Sequence, residues 1–267
     1  MLNFIKNWTL PIAMLAGVLG YLLFVHVPLL EPTKPLVNQL IAFLTPSLIF
    51  AQLLLTFCKV NIRDLMPVRW HGWLLLFQII SCLLMVAVLL LSKLDVAYRE
   101  VFEGAMVCLI CPTATAAAVI TGKLGGSVSA LTTYTLLSNI LAAVAVPLMF
   151  PLVEPHADLS FFTAFLKILS KVFPLLLCPF FAAWLIRLYL PKIHQWLLNM
   201  HDLAFYLWAV ALTIVTAQTF KSLVESDTPA SVKMLIALAG LFACAVQFLL
   251  GKKIGTHYHD RISAGQA

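Results

Sequence analysis

The stretch EGAMVCLICPTATAAAVITG, residues 103–122, decides how this chain folds. It is apolar and long enough to cross a bilayer as a helix, which takes about 20 residues at a rise of about 1.5 Å each. Yet Pro112 stands in its middle. A proline there removes one N–H donor and blocks the carbonyl one turn earlier, leaving open backbone groups that hydrocarbon does not tolerate. Such a break persists only where it is buried in protein or lines a polar cavity. Membrane transporters use this device. The second half-helix turns its N-terminus toward an anion, and the unwound carbonyls offer oxygen to a cation. Thr113 and Thr115 add hydroxyls at this point. The plainer alternative is a proline kink packed by neighbouring Ser and Thr side chains.

Working outward, apolar runs recur along the whole chain, at 8–27, 36–58, 70–91, 101–121, 128–152, 161–190, 203–220 and 232–250. Backbone amides in hydrocarbon must pair within their own segment, so each run reads as a membrane helix. The expected fold is an all-α polytopic bundle with a discontinuous fourth helix, forming a single transmembrane domain over 1–267 whose partner is the lipid bilayer. Composition agrees. The chain is 62% hydrophobic and 10% charged, whereas a soluble domain is about 45–50% apolar and about 25% charged. The net charge of +6 comes from Lys and Arg between the apolar runs, where they set topology and do not point to a nucleic-acid partner. With the N-terminus in the cytoplasm, ten of these cations fall inside and seven outside. The expected location is therefore a bacterial inner membrane with a cytoplasmic N-terminus. The first run lacks a small-residue cleavage pattern and reads as a retained helix.

Polar residues within the runs are the candidate site. Thr132, Thr135 and Asn139 recur at i, i+3 and i+7 on the fifth run, with Ser138 beside them, and predict one polar stripe facing the break. The alternative is plain interhelical hydrogen bonding. Gln78 stands nearly alone in the third run. On the seventh, Thr213, Thr216 and Thr219 with Gln218 predict a second polar stripe facing a cavity, and Thr45-Pro46-Ser47 predicts a kink in the second. Lys167 and Lys171, at i and i+4, read as snorkelling cations, and Glu103, near Arg99 and Glu100, as an interfacial acid. The six cysteines lie in or beside apolar runs. They behave there as small hydrophobes, Cys108-x-x-Cys111 included. His257 and His259 lack partner ligands, so neither a metal site nor a catalytic one is expected. No Walker loop, dinucleotide fingerprint or nucleophile elbow is present.

The stretch CPTATAAAVITGKLGGSVSALTTYTLLSNILAAVAVPLM, residues 111–149, resembles the bile acid:sodium symporter family, whose fourth helix breaks at a Pro followed by small residues. Span order and Gln78 agree with the family. The resemblance implies two inverted five-helix repeats, here a first repeat at 1–152 and a partial second at 161–267. It further implies that residues 261–267 open the ninth helix, with Gln266 starting that helix's polar motif. It places a sodium contact at Thr135 and another at Gln78. The remaining side chains of the family's first sodium shell fall on Ala117, Ala118 and Leu131, which carry no side-chain oxygen.

The function expected from these readings is a secondary transporter moving a small organic anion by alternating access around Pro112, Thr113, Thr115, Thr132, Thr135, Ser138, Asn139 and Gln78. Na+ or H+ is the coupling ion, and no other cofactor is implied. The rival from another class is a transporter-like membrane sensor or scaffold without transport, which the depleted sodium shell permits. A membrane enzyme is disfavoured because the runs lack paired acids, His clusters or an activated nucleophile. Nothing in the sequence sets an oligomeric state.

Overall fold

A computed structural model describes residues 2–27, 32–59, 65–92, 94–153, 160–200 and 203–267. Among the described residues every regular element is a helix: α1 (Leu2–His26), α2 (Lys34–Lys59), α3 (Arg69–Leu91), α4 (Val96–Ile110), α5 (Thr115–Lys123), α6 (Val128–Val153), α7 (Phe161–Tyr189), α8 (Pro191–Asn199), α9 (Leu203–Glu225), α10 (Ala230–His257) and α11 (Arg261–Gln266). Seven of these, α1 to α3, α6, α7, α9 and α10, are long and apolar enough to cross a membrane. The half-helices α4 and α5 lie in series where the remaining crossing is expected. Large apolar side chains such as Leu23, Phe43, Leu83 and Phe242 are more than half exposed. Only lipid makes that outer surface stable.

The helices pack in two groups. In one, α1 lies along α9, and α2 lies along both α7 and α9. In the other, α4 is gripped between α3 and α10, while α6 packs on α3, α5 and α11. Contact between α6 and α7 joins the two. Close approach without bulky ridges depends on small residues. At Gly17 a Cβ would come within 2.5 Å of the Thr213 carbonyl oxygen and 3.0 Å of the Thr216 Cβ. Thr213 and Thr216 thus serve the α1–α9 seam, and Thr213 and Thr219 return their hydroxyls to Ala209 and Val215. They do not form the cavity-facing stripe that spacing predicts, because Thr213 and Thr216 meet α1 at Gly17 and Thr219 is exposed.

The prolines differ in their effect. Pro11, Pro46, Pro147, Pro151, Pro174 and Pro179 all lie inside continuous helices. Around Pro46 the hydroxyls of Thr45 and Ser47 bond the carbonyls of Ile41 and Phe43 one turn back, at 2.9 and 2.8 Å, which satisfies both hydroxyls within the helix. At Pro112 the helix stops.

Two further elements depart from the expected spans. The fourth helix begins at Val96, so Glu103 lies inside it, half-buried and ion-paired to Arg99 at 2.9 Å; Arg99 also donates to the Val153 carbonyl. Helix α8, which Pro191 starts at its first turn, has no counterpart among the expected spans. It is tied to the end of α2, because Arg187 and His194 both meet the Cys58 carbonyl, at 3.2 and 3.0 Å. Lys167 and Lys171 are exposed on α7. The loop 154–159 and Arg63, used in the charge count, fall outside the described residues.

Candidate functional site

Residues 111–114 are non-helical, between Ile110 closing α4 and Thr115 opening α5. Pro112 has no N–H for the Cys108 carbonyl, and the extended backbone at Cys111 and Ala114 carries the next donors away from the helix axis. The carbonyls so released are met from two sides. Gln78 on α3 donates its Nε2–H to Ile110 at 3.0 Å and to Cys111 at 3.5 Å. Gln247 on α10 donates to Leu109 at 3.3 Å. Two amide side chains therefore do for α4 what its own next turn would have done.

Gln78 stands out by its isolation in an apolar run, and Gln247 carries the same signal, a lone amide in the run 243–250 that the expected site does not include. Gln78→Leu is expected to cost about 1–3 kcal/mol, because two carbonyls lose a donor inside a low-dielectric region. Thermal unfolding in detergent should show a midpoint lower by about 3–8 °C. Gln247→Leu, which removes one longer bond, should lower it less.

Beside the break lies a cavity of about 430 Å³. Its wall brings together Gln78, Pro112, Thr113, Tyr134, Ser138 and Gln247 from the α3–α4–α6–α10 side and Trp208 of α9 from the other. The cavity therefore opens between the two helix groups. None of its described lining side chains carries a formal charge. The partial charge on offer is the N-terminus of α5, whose N-cap, Ala114, supplies no side-chain acceptor to the first N–H groups. Thr113 donates its hydroxyl to the Ala267 carbonyl at 3.0 Å, which brings residues 266 and 267 into the wall. The side chain of Thr115 lies outside the described residues.

The fifth-run stripe is placed differently from its prediction. Thr132, Thr135 and Asn139 are buried but do not line the cavity. Thr132 and Thr135 bond the carbonyls of Val128 and Leu131 one turn back, at 2.8 and 3.0 Å. Asn139 is 1% exposed, and its Nδ2 has no hydrogen-bond partner. Ser138 alone of the four reaches the cavity, while bonding the Thr135 carbonyl at 3.1 Å. Ala117, Ala118 and Leu131 form one buried apolar cluster with Ala267 against it. The Gln78 Oε1 is buried without a partner. On α9, Gln218 lines a separate cavity of about 670 Å³ between α1, α2 and α9, together with Lys34, Lys221 and Glu225.

A model of the Sodium Bile acid symporter family matches residues 45–226, more than half of the chain. The match takes in the break, the cavity wall on α3 and α6, and Trp208. No curated protein matches the chain.

Proposed function

The chain belongs to the Sodium Bile acid symporter family, and from that premise we propose that it is a carrier of a small organic anion, working by alternating access around residues 111–114. One observation carries the reading: a helix end without a side-chain N-cap opens on a cavity between two helix groups, and the described lining of that cavity holds hydroxyl and amide groups but no cationic side chain. A half-helix N-terminus attracts one negative charge without trapping it, since its effect is that of about half an elementary charge. Reciprocal movement of the two groups would expose the cavity to each side in turn. The coupling ion in this proposal is Na+ or H+. The partnerless Gln78 Oε1 supports cation contact beside the broken helix, whereas the cluster of Ala117, Ala118 and Leu131 offers a cation no side-chain oxygen.

The test is uptake of small organic anions into proteoliposomes by the full-length protein, under a sodium gradient and under a proton gradient. Thr113→Val and Ser138→Ala are each expected to lower uptake about tenfold, because each hydroxyl would turn from its carbonyl, Ala267 or Thr135, to the bound anion, a hydrogen bond to a charged ligand at about 1.4 kcal/mol. Unaltered uptake in both variants would remove the cavity from the transport path. A sensor or scaffold without transport is the second reading, favoured by that same apolar cluster. Anion binding by the purified protein with no uptake under either gradient would decide for it.

A further inference from the structure

A groove of about 750 Å³ lies between the first turns of α3 and the last turns of α10. Its apolar lining is Leu250, Ile254 and Trp73, and its polar lining is Lys253, Thr256, His257 and Tyr258. The Trp73 indole N–H donates to the Tyr258 hydroxyl at 2.9 Å, which fixes one wall and joins the polar edges of both rings. Lys253 and His257 are four residues apart on α10, so they share one face beside the groove, and both are exposed. No acid lines it. Asp260 is nearby in sequence, but its carboxylate accepts from the Ser263 N–H as the N-cap of α11. Exposed Arg69 and Arg261, at the starts of α3 and α11, add positive charge at the same end of the bundle. The companion histidine, His259, takes no part: it holds the left-handed turn between α10 and α11, with φ of 59°.

Depth and charge together select the occupant. Leu250 lies two helical turns in from His257, about 10 Å along the axis. The groove therefore runs from headgroup level down to acyl level. A small water-soluble anion would leave the apolar lining uncovered. A zwitterionic lipid would bring its own cation to a polar lining that is already positive. We propose that this groove binds an anionic phospholipid of the bilayer, with the phosphodiester at Lys253 and His257 and the upper acyl chain along Leu250, Ile254 and Trp73. The site is separate from the break cavity and does not depend on what that cavity carries. The same turns of α10 seat α11 on Gly251 and Gly255, so the lipid would brace the segment that reaches Thr113.

Native mass spectrometry of the delipidated full chain, titrated with phosphatidylglycerol or with phosphatidylcholine of the same acyl composition, tests this. Phosphatidylglycerol is expected to hold its first site about tenfold more firmly, since each cation near an anionic headgroup contributes about 1 kcal/mol. Lys253→Gln combined with His257→Gln should erase the difference. Lys167→Gln combined with Lys171→Gln, exposed cations on α7, should leave it intact and so report on general surface charge. Equal retention of the two lipids, or a preference unmoved by the α10 substitutions, would overturn the assignment. Displacement of phosphatidylglycerol by inorganic phosphate would also overturn it, by turning the groove into a site for free anions.

Discussion

Pro112→Ala is expected to abolish anion uptake while leaving the protein at least as stable as the parent. Alanine restores an N–H opposite the Cys108 carbonyl and removes the ring that blocks the previous turn. Thr113 and Ala114 could then return their N–H groups to Leu109 and Ile110, the carbonyls now held by Gln247 and Gln78. Each local step favours rewinding, because proline in a helix interior costs about 3 kcal/mol relative to alanine. A continuous helix through residues 96–123 would bury the N-terminus of α5, rotate Thr113 away from Ala267 and close the cavity wall. The diagnostic pair is a thermal midpoint in detergent that holds or rises and proteoliposome uptake that falls to background. Uptake comparable to the parent would mean that the break is a packing feature and that the ligand binds elsewhere. A fall in both would mean only that the chain misfolds, and Thr113→Val would then carry the question alone.

The second large effect is expected at Gly251. Together with Gly255 it forms a small-residue face on α10 against which α11 lies. A Cβ at Gly251 would fall on the Ala264 carbonyl, and one at Gly255 within 2.6 Å of the Asp260 carbonyl and 2.7 Å of the Ala264 Cβ. The obstacle at each position includes backbone, which a rotamer change cannot move aside. Gly251→Leu should therefore unseat α11 at a cost of about 1–3 kcal/mol or more, the range for overpacking a filled interface. Three contacts go with it: Ala264 on Trp70, Leu74 and Tyr134, Ser263 on the Ser127 N–H at 2.8 Å, and Ala267 on Thr113. Trypsin should cut after Arg261 about tenfold faster or more, since each 1.4 kcal/mol of local opening is a factor of ten. Uptake should fall in parallel, because the cavity loses the wall formed by Gln266 and Ala267. Unchanged cleavage would show that α11 is not held by these glycines. Gly20→Ala, at a glycine whose Cβ would meet nothing within 4 Å, is the matched control and should change neither readout.

What the sequence determined by itself is the set of membrane helices, the prolines at which one of them could break, and the family. Each follows from a property of the local chain: apolar length demands a spanning helix, and an imino residue cannot donate. Residues 103–122 and the motif around them were enough. The sequence did not decide which of its prolines would interrupt a helix, since Pro46, Pro147 and Pro174 stand in equally apolar runs and are carried within continuous helices. Only tertiary structure did, by bringing the amides of Gln78 and Gln247 from two other helices to the carbonyls that Pro112 sets free. The polar stripes show the same limit. A spacing of three or four fixes which residues share a face, but the neighbour covering that face is chosen by the packing of the whole bundle. Thus Thr132 and Thr135 turned their hydroxyls back on α6, Thr213 and Thr216 met Gly17, and Ser138 reached the cavity. The hydroxyls took the carbonyl one turn back on their own helix, whereas the longer amides of Gln78 and Gln247 found theirs on another, because hydrocarbon leaves a polar atom only the partners within reach of its side chain.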